Sequence, residues 1–398
     1  MSEISKGSVF TKSFTRQEPI PEEAVEQAVA LMRTGRLHRY DPVPSGDGEV
    51  GCLEQEFAKY IGAPYCLACA SGGYALYISL LAAGVQTGDL VLTNAFTLGP
   101  VPGAIHNSGA RAIFVEMTED FAIDLGHLER MATESNARFL LLSHMRGHIA
   151  DMDRILELCR LYNLILIEDC AHTMGACWDD RPSGSDADIA CYSTQTYKHI
   201  NSGEGGLLTT RHANFMAKAV MLSGSYMLYT QHSAGPSPDV YESIRLETPN
   251  YSGRMDNLRA SILRPQLARL SERCKRWNHL YSVLEAGLSK LAKVRVPERA
   301  PKEQFVGSSI QFSILGYDEK TVAQIVSRCA KRGVVLKWFG APEPVGFTSR
   351  YDSWQYFESI PKLLQTERIC ASLCDMRIPL TFNDDDCHQI IEIIAEEL

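Results

Sequence analysis

Short apolar runs alternate with amphipathic stretches along most of the chain. The runs at 66–70, 90–92, 112–115, 139–142, 164–167, 187–192 and 207–208 are bounded by polar or turn residues, which predicts buried strands. Apolar positions at helical spacing predict helices over 21–33, 53–61, 74–83 and 214–222, with a shorter one at 104–108. Strands alternating with helices favour a mostly parallel sheet flanked by helices. Beyond it the pattern predicts one long helix over 257–292, interrupted near Pro265 and again near Trp277. A strand at 308–314, a helix at 323–332 and a turn into a strand at 333–338 follow. A last helix at 382–398 carries Asp384, Asp385 and Asp386 near its start, where negative charge suits the helix dipole. The fold class expected is α/β, a large domain over 21–262 and a smaller α+β domain over 263–398, preceded by an irregular arm over 1–20. The stretch 224–247 is long, polar and rich in Ser, Tyr and Pro, and reads as a functional or mobile loop.

The chemistry concentrates between Leu166 and Thr210. An apolar run ends on Glu168 and Asp169, which places a carboxylate where open α/β sheets put their ligands. A second run ends at Ser193, five residues before Lys198, and a Gly-rich turn through Gly203, Gly205 and Gly206 follows. A lysine between hydroxyls and a Gly-rich turn suits Schiff-base chemistry with a cofactor aldehyde, with hydroxyl and backbone N–H groups holding a phosphate. An upstream Asp suits a pyridinium nitrogen. Ser71, Gly72 and Gly73 open the helix after the first strand, and small residues there leave N–H groups exposed to an anion.

A net charge of −9 argues against nucleic acid as a partner. No apolar run reaches membrane-spanning length, and the polar first 16 residues carry no signal-peptide pattern. The 12 cysteines sit mostly inside apolar runs, which favours reduced thiols in the cytoplasm. Cys66 and Cys69 form one CxxC, a weak metal signal without a second pair, so no metal site is expected. Arg36 and Arg39 read either as surface charge or as contacts for an anionic substrate.

Several segments, in order over about half the chain, resemble the DegT/DnrJ/EryC1/StrS family of PLP-dependent sugar aminotransferases, enzymes of fold type I. They are Asp169-Cys170-Ala171-His172, the spacing from Ser193 to Lys198, the run from Ser202 to Gly206, and His148 to Asp153. Ser71-Gly72-Gly73 resembles the family's S-G-T, with Gly73 in the Thr place, and Thr93 to Leu98 resembles T-x-x-F-T-F, with Leu98 in the place of the ring-stacking aromatic. The resemblance implies pyridoxal 5'-phosphate on Lys198, Asp169 at the ring nitrogen, His172 at the ring hydroxyl, and Ser71, Gly72, Gly73 and Ser193 at the phosphate. It implies glutamate as donor, a keto or aldehyde sugar as acceptor, and a homodimer in which Asn250 or Ser252 reaches the neighbour's phosphate. The product would serve a surface polysaccharide or a secondary metabolite. The segments Arg39-Tyr40 and Asn250 to Ser252 are similar to a branch acting on free keto sugar acids, including 8-keto ketodeoxyoctulosonate for lipopolysaccharide. Two rivals within the fold are a sugar dehydratase, whose family members carry histidine in place of Lys198, and a cysteine desulfurase, which needs a loop Cys that 224–247 lacks. A third is a sensor that binds the cofactor without turnover.

Overall fold

The structure, a computed structural model, describes residues 7–41 and 47–398; the first six residues of the expected arm and residues 42–46 lie outside the described residues. Seven strands form the larger sheet: β1 Tyr65–Cys69, β2 Leu90–Asn94, β3 Arg111–Val115, β4 Phe139–Ser143, β5 Ile165–Asp169, β6 Ile189–Ser193 and β7 Gly206–Thr210. Their order is β1-β7-β6-β5-β4-β2-β3. The strands from β6 to β3 are parallel, and β7 runs antiparallel to both of its neighbours. Strands buried on both faces read as continuous apolar runs, which is why the pattern found them.

Helices cover both faces. In chain order α1 to α7 are Glu22–Thr34, Glu49–Ile61, Gly72–Ala82, Pro100–Asn107, Leu125–Ser135, Met152–Tyr162 and Ala213–Ser223. Leu76, Ile78 and Leu80 of α3 and Val220 of α7 pack on Leu67, Ile167 and Leu208. Leu53 and Phe57 of α2 and Ile155 of α6 pack on Cys66, Leu140 and Leu207, the other face. Each such fully buried aliphatic or Phe side chain contributes about 1.5–3 kcal/mol of transfer free energy.

A second sheet, β8 Val294–Arg295, β9 Ser309–Ile314, β10 Lys337–Trp338 and β11 Leu373–Arg377, is wholly antiparallel in the order β8-β9-β11-β10. The remaining helices are α8 Pro238–Glu242, α9 Asn257–Ala268, α10 Leu270–Leu288, α11 Glu319–Lys331, α12 Leu364–Cys370 and α13 Asp384–Glu397. The last begins with a capping box between Asn383 and Asp386, which satisfies two orphan N–H groups. Of the arm, Phe10 and Phe14 are buried edge-on against Phe382, so the segment packs on the C-terminal part of the chain.

Three expectations need correction: the long helix, the stretch 224–247 and Arg39. The helix over 257–292 breaks once, at Arg269, where φ is −101° and ψ is 4°; Pro265 stays inside α9 and Trp277 inside α10. Trp277 is held by an Nε1–H donated to the Ile378 carbonyl oxygen at 3.0 Å. The stretch 224–247 is no open loop: it holds a 3-10 turn, Tyr226–Gln231, and α8, with Tyr229 and Tyr241 stacked at 4.7 Å and both buried. The CxxC lies along β1, with Cys66 and Cys69 in the cores on opposite faces of the sheet. Arg39 is neither surface charge nor a cavity residue. Its buried guanidinium meets the fully buried Glu54 at 3.0 Å, and Glu54 accepts from the Ala68 N–H of β1 at 2.7 Å.

Candidate active site

Four adjacent strands of the large sheet end on polar residues: Asn94, Ser143, Asp169 and Ser193. Ligands in such sheets bind outside these carboxyl ends. There a cavity of about 450 Å³ opens, lined by Ser71, Gly72, Gly73, Leu98, Asp169, His172, Ser193 and Lys198 among others. Eight of the ten residues singled out from the sequence therefore share one cavity. Asn250 and Ser252 do not line it. The Asn250 side-chain oxygen accepts from the Tyr226 N–H at 2.7 Å, and Ser252 is exposed. The Gly253 carbonyl oxygen accepts from Ala70 N–H at 2.7 Å, so this segment packs just outside the turn that opens α3.

Lys198 Nζ lies 2.9 Å from His172 Nε2. Burial lowers the Lys198 amine from 10.5 to about 7, with Arg146, Arg377 and Lys337 pushing the same way and Asp169 opposing. Burial first, then the Lys198 charge, holds His172 well below its ordinary range, so the ring is neutral near pH 7. Asp169 accepts from Ser143 Oγ at 3.0 Å and from Ala171 N–H at 3.1 Å, which fixes the carboxylate's orientation. Ser71 caps α3 by accepting from Tyr74 N–H at 3.1 Å. The N–H groups of Gly72 and Gly73, in the first turn, have no partner within the helix and carry the positive end of its dipole. The turn is tightly built. A Cβ on Gly72 would stand 2.8 Å from Ser193 Cβ, and one on Gly206 would stand 2.4 Å from the Ser71 carbonyl carbon.

The sequence reading missed a group of cations. Arg146 and Arg377 both line the cavity, as do Tyr197, Ser308 and Ser309. Arg146 lies in the turn just past the end of β4, and Arg377 ends β11 of the second sheet; neither belongs to the ordered stretch that marked Asp169 and Lys198, and only the fold brings them to this cavity. Phe96 of the aromatic-rich segment packs instead against Phe339 at 5.0 Å, in a separate buried cluster, and leaves Leu98 to face the cavity.

Comparison with known proteins gives the same picture. The chain is 31% identical over 238 residues to a putative L-glutamine:3-amino-2,3-dideoxy-scyllo-inosose aminotransferase of Micromonospora echinospora, which covers 60% of this chain and 54% of that protein. It is 32% identical over 240 residues to GDP-perosamine synthase of Caulobacter vibrioides, 60% of this chain and 62% of that protein. A solved structure of 3-amino-5-hydroxybenzoic acid synthase superposes with a TM-score of 0.83 over 97% of this chain and 98% of that one, at 22% identity. The fold is therefore the type I, aspartate aminotransferase-like fold. Proteins of this group work with pyridoxal 5'-phosphate, and the residues fit it: a lysine near neutrality, an oriented carboxylate, and an uncharged helix start crowded by small residues. A profile of the DegT/DnrJ/EryC1/StrS aminotransferase family matches residues 22–395, and the chain belongs to that family.

Proposed function

We propose that the protein moves an amino group from glutamate to a keto or aldehyde sugar, using pyridoxal 5'-phosphate held on Lys198. The observation that carries this is the buried Lys198 amine, brought to about 7 beside His172 and in the field of Asp169. When bound, the cofactor supplies an aldehyde carbon for amines and a ring that draws off an electron pair. Everything else comes from the chain. Ser71, Gly72, Gly73 and Ser193 would hold the phosphate, with N–H groups and hydroxyls against negative charge. Asp169 would set its carboxylate against the protonated ring nitrogen. Lys198 Nζ, close to half protonated at neutral pH, gives up and takes back a proton with little cost either way. His172 Nε2 accepts from the ammonium form of Lys198 and thereby fixes where that nitrogen sits. Leu98 would cover the ring by dispersion alone.

Both relatives reported above are named for amino-sugar or aminocyclitol chemistry, which supports a sugar-like acceptor in amino-sugar biosynthesis for a surface polysaccharide or a secondary metabolite. Arg39-Tyr40, one ground for a free sugar acid, is packed away from the cavity. We place the reaction in the cytoplasm: all twelve cysteines are free and ten are buried, a usage that suits a reducing compartment. Among the described residues no helix is long and apolar enough to cross a membrane. The test is a pair of half-reactions. Glutamate should bleach the cofactor's visible band, and a panel of keto sugars should restore it. A protein that binds the cofactor yet shows no change with glutamate is a sensor and not a transaminase.

A further inference from the structure

One hydroxyl on the cavity wall has its direction set by a buried histidine that the chemistry of Lys198 does not use. His199, next in the chain after Lys198, is buried and lies against the Trp277 ring at 5.0 Å. Its Nδ1 stands 2.6 Å from the Met174 carbonyl oxygen, and its Nε2 stands 2.9 Å from Ser308 Oγ. A carbonyl oxygen only accepts, so Nδ1 carries the hydrogen. Burial, opposed by the Met174 bond and joined by the Lys198 and Arg273 charges, brings the ring down to about 4, so it is neutral near pH 7. A neutral imidazole with hydrogen on Nδ1 has a bare Nε2. Ser308 therefore donates its one hydroxyl hydrogen to His199. The serine backbone is pinned as well: its N–H donates to the Val306 carbonyl oxygen at 2.9 Å, and its carbonyl oxygen accepts from the Ile378 N–H at 3.0 Å. Ser308 lines the cavity that holds Lys198 and His172. What its hydroxyl offers there is lone pairs and no hydrogen.

We propose that Ser308, its proton turned away by His199, accepts a hydrogen bond from a hydroxyl group of the amino acceptor and so helps to decide which acceptor is used. An ordinary serine hydroxyl rotates to suit a donor or an acceptor. This one cannot turn without leaving His199 Nε2 unpaired in the core, which carries a desolvation penalty. It therefore discriminates by sign. A substrate hydroxyl satisfies it. A fluorine at the same place sets lone pair against lone pair, and a deoxy carbon leaves the oxygen unpaired, the arrangement by which polar sites reject analogues that lack a hydroxyl. The inference rests on the transaminase reading. Glutamate has no hydroxyl, and its nitrogen is the atom that meets the cofactor, so the group that Ser308 requires belongs to the acceptor.

Two measurements test it. Neutron diffraction from the cofactor-loaded protein near pH 7 reads hydrogen positions directly. Hydrogen should stand on His199 Nδ1 and be absent from Nε2, with the Ser308 hydroxyl hydrogen directed at Nε2. Hydrogen on Nε2 would release the serine proton and overturn the proposal. The second measurement uses scyllo-inosamine, a ring amine whose nitrogen goes to the cofactor, and analogues in which one hydroxyl at a time is replaced by hydrogen or by fluorine. Binding is followed by the shift of the cofactor's visible band. In wild type, replacement at one position should weaken binding about tenfold or more, since a polar group is left unpaired. Ser308→Ala should weaken the parent amine by a similar factor and abolish its advantage over that analogue, the signature of direct coupling. Fluorine should do no better than hydrogen; fluorine that restores tight binding would mean that Ser308 donates, and the proposal would fail. It also fails if no position couples to Ser308, or if none of these amines binds. The neutron and fluorine results need only wild type, so they decide the question even where Ser308→Ala does not fold. Amino transfer without coupling to Ser308 overturns this proposal alone, and coupling without amino transfer to any keto sugar overturns the transaminase reading alone.

Discussion

Lys198 owes its chemistry to the cost of burying a charge. An exposed lysine is protonated at neutral pH and cannot attack an aldehyde, whereas burial brings this one to about 7. Two consequences follow. Trinitrophenylation of Lys198 in protein stripped of cofactor should accelerate as pH rises through about 7, and Arg146→Met should move that rise to higher pH because a neighbouring cation is gone. Stability of the stripped protein should also rise with pH between about 7 and 10.5, since the unfolded lysine still binds a proton there and the folded one does not. Lys198→Met should flatten that slope in urea titrations. For the holoprotein, borohydride should fix the cofactor to the peptide bearing Lys198, and label on any other lysine would remove it from its role. Asp169→Asn removes a charge aimed at the ring nitrogen; turnover should fall about 10²- to 10³-fold, or 3–4 kcal/mol, and near wild-type rates would refute the assignment. These residues were legible because a strand-end acid, a serine and a lysine stand at fixed spacing in one stretch. Arg146 was not, because a lone arginine beside a glycine has many uses and only the fold shows which cavity it meets.

At the level of elements, the phosphate-facing turn depends on strand β7. Gly206 brings β7 so close that a methyl group there would strike the Ser71 carbonyl, and backbone cannot yield as a flexible side chain does. Gly206→Ala should therefore weaken cofactor retention at least tenfold, measured by equilibrium dialysis, while Gly203→Ala, with open space around it, costs only its left-handed φ of +86°. Equal retention in the two variants would separate the turn from β7. The strands were legible from apolar runs, and α3 from the serine and glycines that open it. Less legible was the junction of α9 and α10. Proline marks helix ends in sequence, yet Pro265 is buried among the contacts of α9 and the helix absorbs it. Gly224 to Glu247 was unreadable for the opposite reason: Tyr229 and Tyr241 are too few to make a periodic pattern, and their stacking is a tertiary event.

The whole molecule, in our reading, is half of an active unit. Asn250 and Ser252 stand outside the cavity of their own chain, near an exposed group comprising Tyr226, Met227, Leu246 and Tyr251, and closed two-fold dimers are the commonest assemblies. A Lys198→Ala chain co-expressed with an Asn250→Ala, Ser252→Ala chain should regain about half of one dimer's activity, because one of its two sites is then intact. Heterodimers verified by mass that stay inactive would show a site built within one chain. The expected domain boundary at residue 263 falls inside α9; the seven- and four-stranded sheets lie on either side of it, but Glu303–Gln304 pairs with Cys177–Trp178 across it, and α9 packs beside α1 and α2 while α10 packs on α13. The order of strands has a consequence for synthesis. Strand β1 is made early, yet its partner in the sheet is β7, at Gly206–Thr210, and β6 lies beyond that. A nascent chain halted before Gly206 carries the Ser71 turn without the strand that presses on it and leaves β1 and β6 with open edges, a configuration prone to pairing with other chains. The phosphate-facing turn cannot close on β7 until Gly206–Thr210 has been made, and until then β1 and β6 each keep an unpaired edge.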